Sequence, residues 1–521
     1  MIRRGPRRQS HAAPVLVAVL VAVLVAGACT PSADPATAGP TNGADSSAAP
    51  TTQPSDPSAD PATPKPAPTR WSDCGGGFQC ATLVVPRDHS GATAGTVNLA
   101  LIRKPAPDRA TRIGSLVVNP GGPGASGVEF VREGATAFPD ELLERFDLVG
   151  FDPRGVNAST GIRCIDNLDP RANLDPSPDD AAELEALLDD AESYAAQCAT
   201  RNEALLPHLS TDDVVEDLEL IRASLGDEQL TYLGFSYGTL IGSLYADRYP
   251  ERVRAMALDG ALDPRHDLET VRAEQSVAFE AALGRFLADC ATRACAFDHG
   301  AGTAAAFDAL MQSIDANPLP TSRSFDRRLV GSGLAEFAVL AALYSQAYWR
   351  ALEFALAAAE LGDGALFILL ADPFRGRKAN GSYSNQLDAY TAINCLDYPA
   401  RTDPASYTEL ATRLADAAPH FAGLVSYNDL ACAYWPTPPT RTPGPVSADG
   451  APPIVVVGTT GDPATPYAWA ESLAGQLVSG VLVRNEGEGH TGFASSVCVY
   501  DLIAEYLVSA DPPAAGTVCD F

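Results

Sequence analysis

The chain has 521 residues, of which 46% are hydrophobic, enough to build a large core. Its 65 acidic residues outnumber its 36 basic ones and give a formal net charge of −29. Such a surface repels nucleic-acid phosphates and anionic lipid headgroups, so no nucleic-acid partner is expected.

The first 28 residues have the pattern of a secretory signal peptide. Four arginines among the first eight residues precede an apolar run over 14–28, which is too short to span a bilayer comfortably. The run ends in Val25-Ala26-Gly27-Ala28-Cys29, which is similar to a bacterial lipobox, with alanine where leucine is usual. We therefore expect export and lipidation of Cys29 as the mature N-terminus. An ordinary secretory signal cut nearby is the alternative.

Residues 29–69 consist almost wholly of Pro, Ala, Thr, Ser, Asp and Gly. This composition offers too little apolar area to offset the entropy of ordering, so it predicts a disordered tether. Lipidation would then anchor the chain to the outer face of the cytoplasmic membrane, with no other membrane contact. Without it, the protein would be secreted.

Residues 70–264 alternate short apolar runs with helical patterns. Residues 115–118, 147–151 and 230–233 resemble buried strands. Thr211–Leu225 carries its apolar residues on one helical face, between a Ser-Thr cap and a terminating glycine. Strands that alternate with helices predict a mostly parallel, doubly wound α/β sheet.

Residues 265–445 are rich in alanine and in helical patterns, without a comparable strand signal. Strands resume at 454–457 and 481–483, with a helix between them. We therefore predict a helical cap over 265–445, inserted before a C-terminal part of the sheet domain over 446–521.

Gly234-Phe235-Ser236-Tyr237-Gly238 matches the Gly-x-Ser-x-Gly pattern of a nucleophile elbow. The pentapeptide alone is a weak signal, but here a predicted strand enters it and an amphipathic helix leaves it. This context predicts that Ser236 is a catalytic nucleophile.

A serine nucleophile needs a base, and His490 is the histidine that follows the last predicted strand. Three of the other histidines precede Ser236, and three lie in or beside the predicted cap. Asp462 follows the strand before His490, where the orienting acid is expected. Asp259 at the end of an earlier strand is the competitor, and we interpret it as structural.

The oxyanion needs two N–H donors, of which Tyr237 supplies one. The strand over 115–118 leads into Asn119-Pro120-Gly121-Gly122-Pro123-Gly124, whose glycines let the backbone approach a substrate carbonyl. A phosphate-binding loop is excluded because no Lys-Ser or Lys-Thr follows. Gly122 is the expected second donor, with Gly121 as the alternative.

Ten cysteines remain when Cys29 is set aside, and an even set in an exported chain predicts disulfides. The sequence does not fix their connectivity, but sequential pairing is the simplest arrangement because each pair closes a short loop. No Cys-x-x-Cys or His-Glu-x-x-His motif occurs, so no metal and no other cofactor is expected. The ten are Cys74, Cys80, Cys164, Cys198, Cys290, Cys295, Cys395, Cys432, Cys498 and Cys519.

The motifs together resemble the actinobacterial tripeptidyl aminopeptidases, exported serine exopeptidases related to prolyl aminopeptidases. The match runs from about Trp71 to the C-terminus and is looser in the cap. The resemblance implies an α/β-hydrolase fold, places Thr465 close to the triad, and suits an envelope lipoprotein, as some mycobacterial members are. The matching segments are 119–124, 150–155, 234–238, 258–260, 394–397, 432–436 and 461–463.

We therefore expect a serine exopeptidase that releases short peptides, such as tripeptides, from free N-termini of peptide or protein substrates. The alternatives are a carboxylesterase or lipase, an envelope endopeptidase, and a non-catalytic binding protein. A non-catalytic binding protein would not require the complete triad of Ser, His and Asp together with the glycine-rich loop. The sequence assigns no residue to amine recognition and gives no oligomeric state.

Overall fold

A computed structural model describes residues 67–323, 326–399 and 401–520. The predicted signal peptide, the lipidation site at Cys29 and most of the predicted tether lie outside the described residues. Thr69 donates a backbone hydrogen bond to the carbonyl of Ser224 at 3.0 Å. The last residue of the predicted tether therefore contacts the folded domain.

Ten strands form one mixed sheet in the order β1-β2-β3-β5-β4-β6-β7-β8-β9-β10. The pairs from β1 to β5 along that order are antiparallel, and every pair from β5 to β10 is parallel. This is the predicted α/β-hydrolase fold. The strands are β1 (Ser72–Asp73), β2 (Gln79–Pro86), β3 (Thr96–Lys104), β4 (Gly114–Asn119), β5 (Phe146–Phe151), β6 (Leu230–Phe235), β7 (Val253–Asp259), β8 (Ile454–Gly461), β9 (Gly480–Glu488) and β10 (Thr517–Cys519).

Helices cover both faces of the sheet and form the cap. In chain order they are α1 (Gly127–Gly134), α2 (Asp140–Arg145), α3 (Asp169–Ala172), α4 (Ala181–Asn202), α5 (Thr211–Leu225), α6 (Tyr237–Arg248), α7 (Leu268–Arg293), α8 (Thr303–Ala316), α9 (Ser332–Leu343), α10 (Trp349–Glu360), α11 (Ala365–Phe374), α12 (Gln386–Asp397), α13 (Ala405–Leu414), α14 (Ala422–Tyr427), α15 (Tyr467–Gln476) and α16 (Val497–Ser509).

The sheet is buried on both faces because alternate side chains of its central strands point to opposite sides. In β4, Val117 packs in a core with residues of α5, α6 and α15. Its neighbours Leu116 and Val118 pack in the opposite core with residues of α1, α2 and α16. The continuous apolar runs of the central strands therefore indicate two-sided burial, as the sequence predicts.

The cap has its own hydrophobic core, built from α7 to α11 and α14. A second helical segment, α3 and α4 between β5 and β6, reaches the cap from the other side. Asp169 at its start pairs with Arg328 and Arg377 of the cap, and a Cβ at Gly333 would lie 2.1 Å from the carbonyl oxygen of Leu174. This segment lies within the predicted first part of the sheet domain, 70–264, and packs against the cap.

The ten cysteines form five disulfides in sequential order: Cys74–Cys80, Cys164–Cys198, Cys290–Cys295, Cys395–Cys432 and Cys498–Cys519. Disulfides of this number are typical of proteins outside the cytoplasm. Among the residues that the structure describes, no helix is both long and apolar enough to cross a bilayer.

Candidate active site

Ser236 occupies a sharp turn between β6 and α6, with φ of 54° and ψ of −124°, a strained combination for a residue with a side chain. A Cβ at Gly234 would lie 2.5 Å from the carbonyl oxygen of Gly238, and a Cβ at Gly238 would lie 2.8 Å from that of Asn119. The turn therefore requires glycine on both sides. It presents Ser236 to a cavity that the cap helices also line.

His490 follows β9, and one edge of its ring contacts Asp462. Its Nδ1 lies 2.8 Å and 3.0 Å from the two carboxylate oxygens. Its Nε2, on the opposite edge of the ring, is buried and has no hydrogen-bond partner among the described residues. Ser236 and His490 line the same cavity. The structure thus leaves the outer nitrogen of His490 available to exchange a proton with a group in that cavity.

Asp462 is buried, with its side chain 0% exposed, and its carboxylate accepts several hydrogen bonds. The N–H groups of Ala464 and Thr465 and the hydroxyl of Thr465 all donate to it at 2.9 Å. The same hydroxyl lies 3.2 Å from Nδ1 of His490. Thr465 therefore contacts both partners, at the position that the family resemblance implies.

Burial lowers the pKa of His490, but the charge and hydrogen bond of Asp462 outweigh it and hold that pKa above its usual value. Because the pair stabilises a positive ring, His490 suits the acceptance of a proton.

Asp259 has a different role from Asp462. It ends β7 and accepts hydrogen bonds from the N–H groups of Gly492, at 2.9 Å, and Phe493, at 2.7 Å. Burial raises its pKa to about 6, against the effect of those two N–H donors. Asp259 therefore holds the loop that follows His490, rather than the ring itself.

The glycine-rich loop after β4 packs directly against the turn that carries Ser236. A Cβ at Gly121 would lie 2.5 Å from the carbonyl oxygen of Phe235 and 3.0 Å from the backbone nitrogen of Tyr237. The N–H of Gly121 donates to Oδ1 of Asn119 at 2.9 Å. Because that bond occupies Gly121, it is Gly122, which lines the cavity, that remains suited to bind a substrate oxygen.

Tyr237 begins α6, and the first N–H groups of a helix have no partner within the helix. Gly122, Ser236 and Tyr237 line the same cavity, and the N–H groups of Gly122 and Tyr237 stay the predicted oxyanion donors. Within residues 67–323, 326–399 and 401–520, no cluster of His, Cys, Asp or Glu is suited to bind a metal ion.

Three curated proteins are similar to this chain over most of their length. The chain is 38% identical over 481 residues to serine protease Hip1 of Mycobacterium tuberculosis, covering 87% of this chain and 91% of that protein. It is 36% identical over 464 residues to carboxylesterase B of the same species, covering 85% and 86%. It is 30% identical over 467 residues to tripeptidyl aminopeptidase of Streptomyces coelicolor, covering 86% and 85%.

The family model described as TAP-like protein matches residues 418–519. The chain is a serine hydrolase of the TAP-like family. Among solved structures, proline iminopeptidase of Mycobacterium smegmatis aligns with 82% of this chain and all of its own length, at 15% identity and a TM-score of 0.33.

The cavity of the TAP-like hydrolase has a volume of about 340 Å³. Its walls come from cap helices α7, α9, α11, α12 and α14, and most of them are apolar. Among the described residues, Arg272 is the one Asp, Glu, Lys or Arg side chain that lines the cavity, and its Nη2 donates to Asp429 at 3.0 Å. The amide Nδ2 of Asn394 is buried beside this cavity without a partner in the described chain. The cavity therefore offers an apolar surface with an unused hydrogen-bond donor.

The cap is attached to the backbone of His490. The N–H of His490 donates to the carbonyl of Tyr344 at 2.7 Å, and the two rings meet edge to face at 5.4 Å. Arg285 of α7 donates to Glu488 at 2.8 Å and to the carbonyl of Gly461 at 3.2 Å. The cap of the TAP-like hydrolase therefore supports both loops that carry the histidine and its acid.

Sequence reasoning did not identify Asn119, Tyr344 or Asn394 as parts of the site. Asn119 precedes the glycine-rich loop. An Asn whose side chain accepts from the N–H two residues later is a recognised turn pattern, so the sequence did contain a signal for its role. Tyr344 follows an apolar helical stretch, and only its tertiary position distinguishes it. Asn394 lies in segment 394–397, which carries part of the family resemblance, but that match assigned it no role.

Proposed function

We propose that the protein is an exported serine exopeptidase that releases short peptides, tripeptides among them, from free N-termini. The observation that carries this proposal is the cavity at Ser236, which the cap helices cover. A long polypeptide that continued on both sides of the cleaved bond would have to displace those helices. A substrate with one short end fits the covered cavity without such a change.

In the proposed mechanism, Nε2 of His490 takes the proton of Ser236 while the serine oxygen attacks the substrate carbonyl. The N–H groups of Tyr237 and Gly122 donate to the oxyanion that forms. Asp462 stabilises the imidazolium, which then gives its proton to the leaving amine. Water then hydrolyses the acyl-enzyme. His490 takes a proton from the water as its oxygen attacks the acyl carbonyl, and returns a proton to the oxygen of Ser236 as the acyl group leaves.

Carboxylesterase activity is the second candidate function, and one observation favours it. No Asp or Glu is among the side chains that line the catalytic cavity in the described residues. A free N-terminus carries a positive charge that such a carboxylate would recognise, whereas an ester has no such requirement. The 36% identity to carboxylesterase B is consistent with this reading.

We further propose that the protein acts in the cell envelope, anchored through Cys29. The basic and apolar start of the sequence supports export, and the five disulfides are consistent with it.

The test uses two chromogenic tripeptide anilides, one with a free N-terminus and one acetylated, together with a chromogenic ester. An exopeptidase cleaves only the free peptide, and Ser236→Ala lowers kcat about 10⁶-fold. Ser243→Ala is the matched control, because its hydroxyl bonds to the carbonyl of Leu240 at 3.1 Å within the same helix. Equal cleavage of both peptides would reject an exopeptidase, and cleavage of the ester alone would establish the second candidate.

A further inference from the structure

A second, smaller cavity of about 120 Å³ adjoins the catalytic cavity. The two share a wall, because the same five side chains line both: Phe337, Leu387, Tyr390, Leu424 and Asn428. The two cavities are therefore neighbours, with these five side chains between them.

Three charged side chains line the second cavity, and two of them neutralise each other. Arg171 lies over the ring of Tyr194 at 4.3 Å, and its Nη1 is 2.7 Å from Oδ2 of Asp190. The third is Arg375. Among the residues that the structure describes, its guanidinium forms no hydrogen bond and no ion pair, and its Nε is buried without a partner.

Arg375 lies close to the catalytic cavity. Its guanidinium carbon is 5.1 Å from the centre of the Phe337 ring, and that ring lines both cavities. The preceding residue, Phe374, lines the catalytic cavity itself. The ring supports one face of the planar guanidinium, and its N–H edges stay free to bind a ligand.

The acidic groups of the surrounding cap are occupied by other cations. Asp372 lies 2.6 Å from Nη2 of Arg328, and Asp169 lies 2.7 Å from Nε of Arg377. The positive charge of Arg375 is therefore not balanced by a direct contact. An unpaired charge in a partly enclosed cavity is costly, and an anionic ligand would relieve that cost.

We propose that Arg375 binds a carboxylate of the substrate, so that the enzyme prefers peptides with an acidic side chain on the acyl side of the cleaved bond. This inference rests on the proposed function of the catalytic cavity. A guanidinium matches a carboxylate with two parallel hydrogen bonds, a geometry that a neutral amide side chain cannot reproduce. The net charge of −29 repels anions at long range, so this local contact must supply the preference.

The test compares tripeptide anilides that carry Glu or Gln at each of the three positions in an otherwise all-alanine sequence. All three residues then lie on the acyl side. In the wild-type protein, kcat/KM for the Glu peptide should exceed that for the Gln peptide by about tenfold at one position. One hydrogen-bonded pair of opposite charges accounts for a preference of about this size. Arg375→Gln should bring this ratio close to one, and Arg375→Lys should give an intermediate ratio.

Arg413→Gln is the matched control. It removes the same charge from the cap, but Arg413 is 51% exposed and pairs with Glu269 away from both cavities. This variant should retain the wild-type ratio. A ratio near one at all three positions in the wild-type protein, or a ratio that survives Arg375→Gln, would overturn the proposal.

The design separates this proposal from the proposed function. Cleavage of the all-alanine peptide without a preference for Glu would reject the carboxylate subsite and leave the exopeptidase intact. If no peptide is cleaved, the exopeptidase fails, and the comparison moves to nitrophenyl esters. The monoester of a dicarboxylic acid should then be cleaved faster than the neutral ester of similar length, and the difference should disappear in Arg375→Gln.

Discussion

Replacement of Asp462 by asparagine should disable His490 through its protonation state. Oδ1 of Asp462 accepts two backbone N–H groups, from Ala464 and Thr465. An asparagine has one acceptor and one donor, so these N–H groups would hold its oxygen. Its NH₂ group would then face Nδ1 of His490, where Oδ2 lies at 2.8 Å now. Nδ1 would then have to accept a hydrogen bond from this NH₂ group, so the single N–H of the neutral ring would be on Nε2. A protonated Nε2 could no longer take the proton of Ser236.

We expect Asp462→Asn to lower kcat by about 10⁴-fold, which corresponds to roughly 5.5 kcal/mol of activation free energy. KM should change little, because Asp462 does not line the catalytic cavity. The measurement is steady-state hydrolysis of the free tripeptide anilide, or of the ester if that is the substrate. Thermal unfolding of the same sample shows whether the variant is folded.

Asp259→Asn is the matched control, because Asp259 is equally buried but contacts the backbone of Gly492 and Phe493 instead of the ring. It should destabilise the protein by about 1–3 kcal/mol and lower kcat by less than about tenfold. The assignment of Asp462 would be refuted if Asp259→Asn lost more activity than Asp462→Asn. A kcat of Asp462→Asn within tenfold of wild type would refute the tautomer argument.

The pKa of His490 lies above its usual 6.5, and only the neutral ring can accept a proton. Accordingly, kcat/KM should rise by about tenfold per pH unit below that pKa and level off above it; a flat profile in the acidic range would contradict this. Gly121→Ala places a Cβ 2.5 Å from the carbonyl oxygen of Phe235, so kcat should fall about 10²–10³-fold as the oxyanion donors shift. Gly444→Ala, where a Cβ has open space, is its control and should retain wild-type kcat.

The sheet and the turn at Ser236 could be predicted because their signals are local. A buried strand is a short apolar run with β-branched residues, and a sharp strand-to-helix turn needs glycine at fixed positions, as at Gly234 and Gly238. Asp462 and His490 each follow one of the last two predicted strands. This chain order of Ser, acid and histidine was a second constraint on the choice of catalytic residues. These local rules predicted the mostly parallel α/β sheet correctly, and the family resemblance specified the α/β-hydrolase fold.

The cap could be predicted as helical but not in its packing. Helix α4 has an ordinary amphipathic pattern, which indicates that one face is buried but not against which partner. Its attachment to the cap depends on contacts such as the hydrogen bond that Tyr194 donates to Asp388 at 2.8 Å, between residues far apart in sequence. Arg375 illustrates the same limit, since nothing in its sequence neighbourhood distinguishes an unpaired arginine from the paired Arg377 two positions later.

The sequential pairing of the cysteines has a consequence for how the protein matures. The two partners of a pair are separated by as few as 5 and at most 37 positions, and no pair encloses or crosses another. A chain that emerges from a membrane channel N-terminus first can therefore oxidise each pair as soon as its second cysteine appears. If Cys29 is lipidated, as predicted, every bond that the other ten cysteines form in this order is a native one. Maturation then requires an oxidant but no later rearrangement of wrong bonds.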